Sequence, residues 1–341
     1  MLYNKEVWLK SATTILKFVV TGLCIILCIK PTYYGTANCG DIVVLITASL
    51  NLENKIFELF ENYYLIMNCG FIIEDWYSFS ELPEEKEIKS NDTIENYSIT
   101  FRNVSFKYPG TNRYALQGVN LHIKQGEKIV IIGENGSGKT TFINLLLGCF
   151  SSYTGNILID GKEICNVYDE IRRNCSVVFQ DFLKLQLSIK DNIFLEQSSL
   201  FEEKQIEEQV YFIGNLKNGI NTVLGQLEEG GIELSGGEWQ LIAILRAMVK
   251  TNKKIIVMDE PTSYLDSKKE DWFYTTLLEI PKDMTVIIVS HRLSVAKLCD
   301  RIVLFKKGRI ETMGTHEELI ENSEEYKRMY FSQKDMYDIN S

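Results

Sequence analysis

Histidine and closely spaced cysteine are scarce in this chain of 341 residues. It has three histidines, and none of its eight cysteines belongs to a C-x-x-C pair. Zinc sites are built mainly from these two residue types at short spacing, so the sequence gives no reason to expect one. The four cysteines after residue 98 are scattered, which predicts unpaired thiols in a reducing cytosol. They are Cys149, Cys165, Cys175 and Cys299.

The chain also lacks a long basic run, and its formal net charge is −10. Proteins that bind nucleic acid use Lys and Arg to neutralise phosphates, so we expect no nucleic acid partner. Apolar residues make up 45% and charged residues 24% of the chain, which is ordinary usage for a folded globular protein. Its length allows roughly two domains.

Two apolar stretches lie in the first 79 residues. Residues 14–29 carry Lys17 as their one charge, and a second stretch beginning at Ile42 becomes amphipathic as it continues. A bilayer span needs about 20 apolar residues, so we predict a partial membrane domain over 1–79 with two transmembrane helices, about 13–30 and 41–67. Because both runs are short, core helices of a soluble domain are the alternative.

The placement of charge orients these predicted spans. Lys5, Lys10 and Lys17 lie at or before the first span, whereas the loop over 31–41 has no Lys or Arg. The positive-inside rule therefore predicts a multi-pass protein of the cell membrane, in contact with lipid, whose N-terminus and later residues face the cytoplasm. Residues 80–98 are polar and charged, which predicts a linker.

From residue 99 onward, strand-like and helix-like patterns alternate. The strand-like runs are 99–108, 128–132, 176–179, 254–258, 285–289 and 301–305, and the helical patterns include 140–147 and 238–249. Such alternation predicts an α/β domain over 99–341, with a mostly parallel sheet covered by helices.

A glycine-rich segment directly follows the strand-like run 128–132. Residues 133–141 read G-E-N-G-S-G-K-T-T and fill every fixed position of the P-loop pattern G-x-x-x-x-G-K-[ST]. Backbone N–H groups can close around phosphate oxygens only where no Cβ intervenes, and the following helix adds the positive end of its dipole. A glycine-rich turn without a ligand is the alternative.

We therefore predict that nine consecutive residues bind the phosphates of ATP: Gly133, Glu134, Asn135, Gly136, Ser137, Gly138, Lys139, Thr140 and Thr141. Lys139 is the predicted catalytic charge on the terminal phosphates, and the Thr140 hydroxyl is a predicted ligand of Mg²⁺.

Two carboxylates follow the apolar run 255–258. Ligands gather at the carboxyl ends of parallel strands, where Asp259 and Glu260 are expected to lie. We predict that Asp259 holds Mg²⁺ and that Glu260 is the general base for the attacking water. A carboxylate pair of this kind can also be a mere helix cap, which the complete P-loop argues against.

With these motifs, residues 234–238 (L-S-G-G-E) make the chain resemble the ATP-binding cassette (ABC) transporters. In that family this signature motif faces the P-loop of the opposite cassette. The resemblance implies that two cassettes, identical or different, clamp ATP between them. It assigns ATP contacts to Ser235, Gly236, Gly237 and Glu238.

The resemblance also implies roles for single residues. Gln180 matches the glutamine that senses Mg²⁺, His291 matches the catalytic switch histidine on the γ-phosphate, and Tyr108 matches the aromatic residue that stacks on adenine. Residues 263–266 match the D-loop, with Tyr264 where Ala is usual. Each of these residues alone could be structural, and it is their common order that supports the resemblance.

A membrane piece followed by a cassette resembles exporter-type half transporters, and residues 224–240 resemble those of bacterial peptide and lanthipeptide exporters. The implied function is ATP hydrolysis that drives export of a substrate such as a peptide. Exporter halves carry six membrane helices, so the chain is either truncated or one piece of a split transporter whose missing helices come from a separate chain. The alternatives are a membrane-tethered regulator or immunity protein, and an inactive remnant.

Overall fold

The computed structural model divides the chain into two units, Met1–Glu87 and Ile88–Ser341. It describes residues 19, 21–23, 25–27, 31, 33–35, 38–81, 94–195, 206, 213, 216–225, 231–249 and 253–339. The division falls within the segment 80–98 that was predicted to be a linker.

In the first unit the structure describes one long helix, α1 (Cys39–Ser80). At its N-terminus the Asp41 carboxylate accepts a 2.9 Å hydrogen bond from the backbone N–H of Asn38. The helix contains the segment 41–67 and continues beyond it, and many of its large apolar side chains are exposed, such as Phe60 and Phe79. No helix in the part of the chain that the structure describes, α1 included, combines the length and the apolar character that a membrane crossing requires. Most of the predicted span 13–30 lies outside the described residues, so it stays a prediction.

The described residues of the second unit contain ten strands in two sheets. They are β1 (Ile99–Phe106), β2 (Leu116–Ile123), β3 (Lys128–Ile132), β4 (Thr154–Ile159), β5 (Lys162–Glu163), β6 (Cys175–Val178), β7 (Ile255–Asp259), β8 (Thr285–Val289), β9 (Arg301–Lys306) and β10 (Arg309–Gly314). The smaller sheet is antiparallel with strand order β2-β1-β4-β5, and the larger sheet has the order β10-β9-β3-β8-β7-β6.

The helices that the structure describes in this unit are α2 (Lys139–Leu146), α3 (Tyr168–Asn174), α4 (Ile189–Ile193), α5 (Gly236–Met248), α6 (Ser267–Glu279), α7 (His316–Asn322) and α8 (Glu324–Ile339). Short 3₁₀ turns cover Ile164–Asn166, Gly219–Asn221 and Val295–Leu298. The predicted α/β class with a mostly parallel sheet is confirmed.

The parallel strands of the larger sheet end at one edge, where four segments with predicted site residues lie. Strands β9, β3, β8, β7 and β6 pair in parallel, and only β10 runs antiparallel to its neighbour β9. Since the carboxyl ends of parallel strands share an edge, the segments after β3, β6, β7 and β8 emerge side by side. These four segments contain the P-loop, Gln180, the two carboxylates and His291.

Helix α2 is fixed between the two sheets by its buried aromatic residue Phe142. The Phe142 ring stacks on Phe101 of β1 with 4.4 Å between centroids, and meets Phe305 of β9 edge-on at 5.8 Å. Buried aromatic pairs of this kind contribute about 0.5–1.5 kcal/mol each beyond the area they bury. The start of α2, where the P-loop ends, is therefore anchored to both sheets.

A hydrophobic core cluster joins the larger sheet to α5 and α6, which bury Trp239 and Phe273. The cysteines Cys149, Cys165, Cys175 and Cys299 are free thiols, as predicted. Burial raises the pKa of Cys175 and of Cys299 to about 12, so both thiols stay protonated and unreactive at neutral pH.

Candidate nucleotide-binding site

The P-loop depends on glycine where its backbone is packed against neighbours. Gly133 has φ 150° and Gly138 has φ 108°, both in the region that L-residues avoid. A Cβ on Gly133 would clash with the carbonyl oxygen of Phe305, and one on Gly138 would lie 2.8 Å from the carbonyl oxygen of Ala115. At Gly133 and Gly138 the surrounding chain therefore leaves no room for a side chain.

Lys139 begins α2 and turns its ammonium back over the loop. Its Nζ donates to the carbonyl oxygens of Gly133 at 2.7 Å and Glu134 at 3.1 Å. The residue is 7% exposed, and burial lowers the pKa of its ammonium although the nearby Glu260 and Asp259 raise it. A buried cation at the mouth of the loop is suited to an anionic ligand.

Asp259 is the last residue of β7 and lies beside Thr140, the P-loop residue that follows Lys139. The Thr140 hydroxyl donates to its Oδ2 at 3.3 Å, while its Oδ1 is buried and has no hydrogen-bond partner. Burial raises the pKa of this carboxyl, and the Glu260 charge raises it further, against lowering contributions from Thr140 and Lys139. Buried polar atoms without a partner are rare, and a hydroxyl beside a carboxylate is the hard oxygen set that Mg²⁺ prefers. The predicted metal ligands Thr140 and Asp259 therefore fit this ion.

Glu260 and His291 contact each other across the strand ends. Glu260 has φ 52°, and its backbone N–H donates to the carbonyl oxygen of Val289 at 2.8 Å. Its Oε2 lies 2.6 Å from Nδ1 of His291 and also accepts the backbone N–H of His291 at 3.3 Å. The neighbouring strands β7 and β8 thus bring together the two residues predicted for water activation and phosphate contact.

These groups line one open pocket of about 460 Å³. Its lining comprises Tyr108, Thr111, Arg113, Tyr114, Ala115, Asn135, Gly136, Gly138, Lys139, Thr140, Thr141, Gln180, Asp259, Glu260, Ser263 and His291. Tyr108 stands at the P-loop side, where its hydroxyl is 3.0 Å from that of Thr141. Of the predicted P-loop residues, Gly133, Glu134 and Ser137 belong to the loop but do not line the pocket.

Sequence reasoning missed the wall formed by residues 111–115. It lies directly after Tyr108, in the turn that joins β1 to β2, and includes Arg113 and Tyr114. The proximity to Tyr108 was the available signal, since a loop that brings one aromatic residue to a pocket carries its neighbours there too.

The signature residues lie elsewhere. Ser235 caps the N-terminus of α5: its hydroxyl accepts the N–H of Glu238 at 3.3 Å, and the Glu238 carboxylate accepts the N–H of Ser235 at 2.8 Å. None of Ser235, Gly236, Gly237 and Glu238 is among the described residues that line the pocket. The structure therefore does not bring these four predicted ATP contacts to the P-loop of the same chain.

Gln240, which sequence reasoning also missed, connects α5 to the pocket. Its buried amide donates to the backbone oxygen of Glu260 at 2.9 Å and accepts the backbone N–H of Tyr264 at 3.0 Å. A Cβ on Gly237 would lie 2.6 Å from the carbonyl oxygen of Tyr264. The signature helix, the carboxylate pair and the segment 263–266 are thus packed as one body.

Comparison with known proteins assigns part of the second unit to a family. Residues 116–263 match the family model described as ABC transporter. These residues are an ABC transporter domain. The matched range includes the P-loop, Gln180, the signature motif and the carboxylate pair, while His291 follows it.

Similar curated proteins are bacterial transport ATP-binding proteins. The chain is 34% identical over 321 residues to the subtilin transport ATP-binding protein SpaT of Bacillus subtilis, covering 91% of this chain and 52% of that protein. It is 31% identical over 307 residues to the nisin transport ATP-binding protein NisT of Lactococcus lactis subsp. lactis, with shares of 86% and 51%. The chain thus spans about half the length of these two relatives.

Two further similarities agree with these. The alpha-hemolysin translocation ATP-binding protein HlyB of Escherichia coli is 41% identical over 247 residues, which is 70% of this chain and 34% of that protein. A solved structure of a bacterial Atm1-family ABC exporter with ATP bound superposes with a TM-score of 0.68 at 28% identity, covering 97% of this chain and 59% of the exporter chain. The fold is therefore that of an ABC cassette.

Proposed function

We propose that this chain is the ATP-binding and ATP-hydrolysing subunit of an ABC exporter. The observation that supports the proposal best is the single pocket that joins the buried Lys139 ammonium, the partnerless Asp259 oxygen and the Glu260–His291 contact. Phosphoryl transfer to water requires a cation, a metal-binding carboxylate and a base, and all three lie where the parallel strands of the sheet end.

Each group has a proposed role in this reaction. The bare N–H groups of the P-loop and the Lys139 ammonium bind the phosphates of ATP, and the Tyr108 ring stacks on the adenine. Glu260 accepts a proton from the attacking water, and His291 holds the γ-phosphate. In the structure His291 lies on Glu260 at 2.6 Å, so this contact has to loosen when the phosphate arrives.

Mg²⁺ would be held by the Thr140 hydroxyl, the Asp259 carboxylate and Gln180. When bound with ATP, it neutralises charge on the phosphate oxygens. The partnerless Oδ1 of Asp259 supports this assignment, because a buried carboxylate oxygen without a hydrogen bond is stabilised by a cation.

A second cassette is the proposed partner, as a copy of this chain or a different subunit. Residues 235–238 lie away from the pocket of their own chain, so they would complete the pocket of the partner. Their N–H groups at the start of α5 are suited to an anion. Gln240 holds α5 against Glu260 and Tyr264 of its own chain, which supports a partner chain as the source of the second signature.

Export across the cell membrane is the proposed work, with the cassette in the cytoplasm. The relatives named for subtilin, nisin and alpha-hemolysin transport support export, and we propose a peptide as the substrate. Residues 1–79 would be the membrane piece of this chain.

The proposal is tested by measuring ATP turnover of the purified chain over a wide range of chain concentrations. Composite sites predict turnover per chain that rises as chains pair and then levels off. Turnover that is absent at all concentrations, or that is constant down to extreme dilution, would contradict the proposal. Lys139→Ala should remove ATP binding, while Lys254→Ala, at an exposed ion pair with Asp283, should not.

A further inference from the structure

The loop that carries His291 is held from behind by the C-terminal helix. Gln333 of α8 donates from Nε2 to the carbonyl oxygen of His291 at 2.6 Å. The same amide accepts the backbone N–H of Leu293 at 2.9 Å through Oε1. One side chain therefore satisfies two backbone groups on either side of Arg292, from a helix that lies 40 residues further along the chain.

Two further backbone N–H groups of this loop donate to side chains that are close in sequence or belong to the site. The N–H of Arg292 donates to the Ser290 hydroxyl at 2.9 Å, and the N–H of His291 donates to Glu260 at 3.3 Å. Since a backbone carbonyl needs a donor and an N–H needs an acceptor, the two partners also fix which end of the Gln333 amide points to which residue. The contact thus has a defined direction.

Helix α8 is anchored well enough to transmit this constraint. Tyr326 is fully buried, its hydroxyl lies 2.7 Å from Nδ1 of His316, and Tyr330 packs against the same core. Residues 326, 330 and 333 are spaced i, i+4 and i+7, so Gln333 is on the buried face of the helix. The salt bridge from Glu325 to Lys306 at 2.9 Å ties the start of α8 to the end of β9.

We propose that Gln333 is a positioning residue for His291: it fixes the backbone of residues 291–293 so that the imidazole stays aimed at the pocket. This inference rests on the proposed ATP hydrolysis, because only then does the aim of His291 affect a reaction. In the part of the chain that the structure describes, the hydrogen bonds of Gln333 reach the pocket lining through the backbone of His291, so Gln333 acts on turnover rather than on ATP affinity. The C-terminal helix thereby becomes part of the hydrolytic machinery.

The variants for the test separate hydrogen bonding from packing. Gln333→Met keeps the length and volume of the side chain and removes both hydrogen bonds. Gln333→Glu keeps the acceptor for Leu293 and sets a carboxylate against the His291 carbonyl. Ser332→Ala is the matched control, since Ser332 is exposed and its hydroxyl donates to Met329 within its own helix.

The kinetic arm uses the full chain at a concentration where turnover per chain has levelled off. Misplacing a reacting group by about 1 Å can lower a rate on the order of 100-fold, so we expect Gln333→Met to lower kcat at least about ten-fold. The KM for ATP and the melting temperature should stay near those of Ser332→Ala. Gln333→Glu should also be slow. Unchanged kcat in Gln333→Met would overturn the proposal.

A double variant tests whether the effect passes through His291. Gln333→Met should change the single-turnover rate less than about two-fold in a His291→Ala background, because coupled residues are not additive. Following single turnovers over hours keeps that slow background measurable. An equal fractional loss in both backgrounds would mean that Gln333 is merely structural.

A spectroscopic arm keeps this inference separate from the proposed function. The chain has three histidines, His122, His291 and His316, so ¹³C-labelled histidine gives three ring signals that single substitutions assign. Gln333→Met should shift or broaden the His291 signal and leave that of His122 unchanged. If the wild type fails to hydrolyse ATP but this shift appears, the proposed function is wrong and the loop constraint stands. An unmoved His291 signal would overturn the constraint itself.

Discussion

The Oε2 atom of Glu260 lies 2.6 Å from Nδ1 of His291, and the same oxygen accepts the backbone N–H of His291 at 3.3 Å. Both bonds end on one carboxylate oxygen, and Oε1 takes part in neither. The proposed base and the proposed phosphate contact therefore form a pair within one chain. The pair depends on the adjacency of β7 and β8, in which Asp259 lies opposite Val289.

Replacing Glu260 by Gln should leave ATP binding intact and lower hydrolysis. The amide is isosteric but cannot accept the proton of the attacking water, and loss of a general base lowers a rate about 10²–10⁴-fold. Fluorescent ATP analogue titration and single-turnover hydrolysis would measure the two quantities. Glu321→Gln, on the exposed side of α7, is the control. Turnover of Glu260→Gln equal to that control would remove Glu260 from its role.

Much of this sheet was predictable because buried parallel strands are continuous apolar runs. The runs 128–132 and 285–289 were predicted with the bounds that β3 and β8 have, and the other central strands differ by a residue or so. The position of the site followed from this, since polar residues just after such strands share an edge.

The parts that sequence reasoning missed depend on long-range contacts. Gln240 and Gln333 are each one polar residue in a helix, and their partners lie 20 or more residues away in the chain. Helical spacing can place a glutamine on a buried face, but it does not show which distant backbone groups the side chain binds. The β5 strand was missed for a different reason: it has two residues, Lys162 and Glu163, and exists because β4 supplies its hydrogen bonds.

Replacing Asp259 by Asn should raise the stability of the chain without nucleotide. Burial holds the pKa of this carboxyl above its usual value, so the ionised form destabilises the folded state at pH values above that pKa. The stability difference between wild type and Asp259→Asn should shrink as the pH falls through the raised pKa. Melting temperatures at several pH values measure it, with an expected gain of about 2–4 °C at pH 8.

The matched control, Asp266→Asn, should act in the opposite direction. Asp266 caps α6 by accepting the N–H of Lys269 at 3.0 Å, which lowers the pKa of its carboxyl and makes the ionised form the stabilising one. That contribution is present at neutral pH and lost as the pH falls through the lowered pKa. Added Mg²⁺ with ATP should raise the melting temperature of wild type and Asp266→Asn, but hardly that of Asp259→Asn. Equal stabilisation of all three would exclude Asp259 as a metal ligand.

Replacing Gly138 by Ala should lower the free energy of unfolding more than the same change at Gly161. Both glycines have positive φ, 108° and 77°, but a Cβ on Gly138 would lie 2.7 Å from Cδ2 of Leu116 whereas Gly161 has open space. Backbone strain alone accounts for about 1 kcal/mol at Gly161, and overpacking adds about 1–3 kcal/mol at Gly138. Denaturant titration would measure both, and equal losses would show that the neighbours of Gly138 yield without strain.

The last prediction concerns Tyr264, which stands where the resembled family usually has alanine. Its ring is 57% exposed and lies against the signature, since a Cβ on Gly236 would come within 3.7 Å of its Cδ1. If the partner cassette covers the signature, this aromatic ring is buried in the interface between the two cassettes. Buried aromatic residues contribute much of the binding energy of such interfaces.

Tyr264→Ala should therefore raise the chain concentration that gives half-maximal turnover. A loss of about 1–2 kcal/mol in pairing corresponds to roughly a 5- to 30-fold shift. The melting temperature at low concentration should barely change, because the side chain is exposed in the single chain. Phe331→Ala, at a ring that is 44% exposed on α8, is the control and should leave the half-maximal concentration unchanged. The same half-maximal concentration in both variants would place Tyr264 outside the interface between the two cassettes. A lower half-maximal concentration in Tyr264→Ala would mean that its ring opposes pairing.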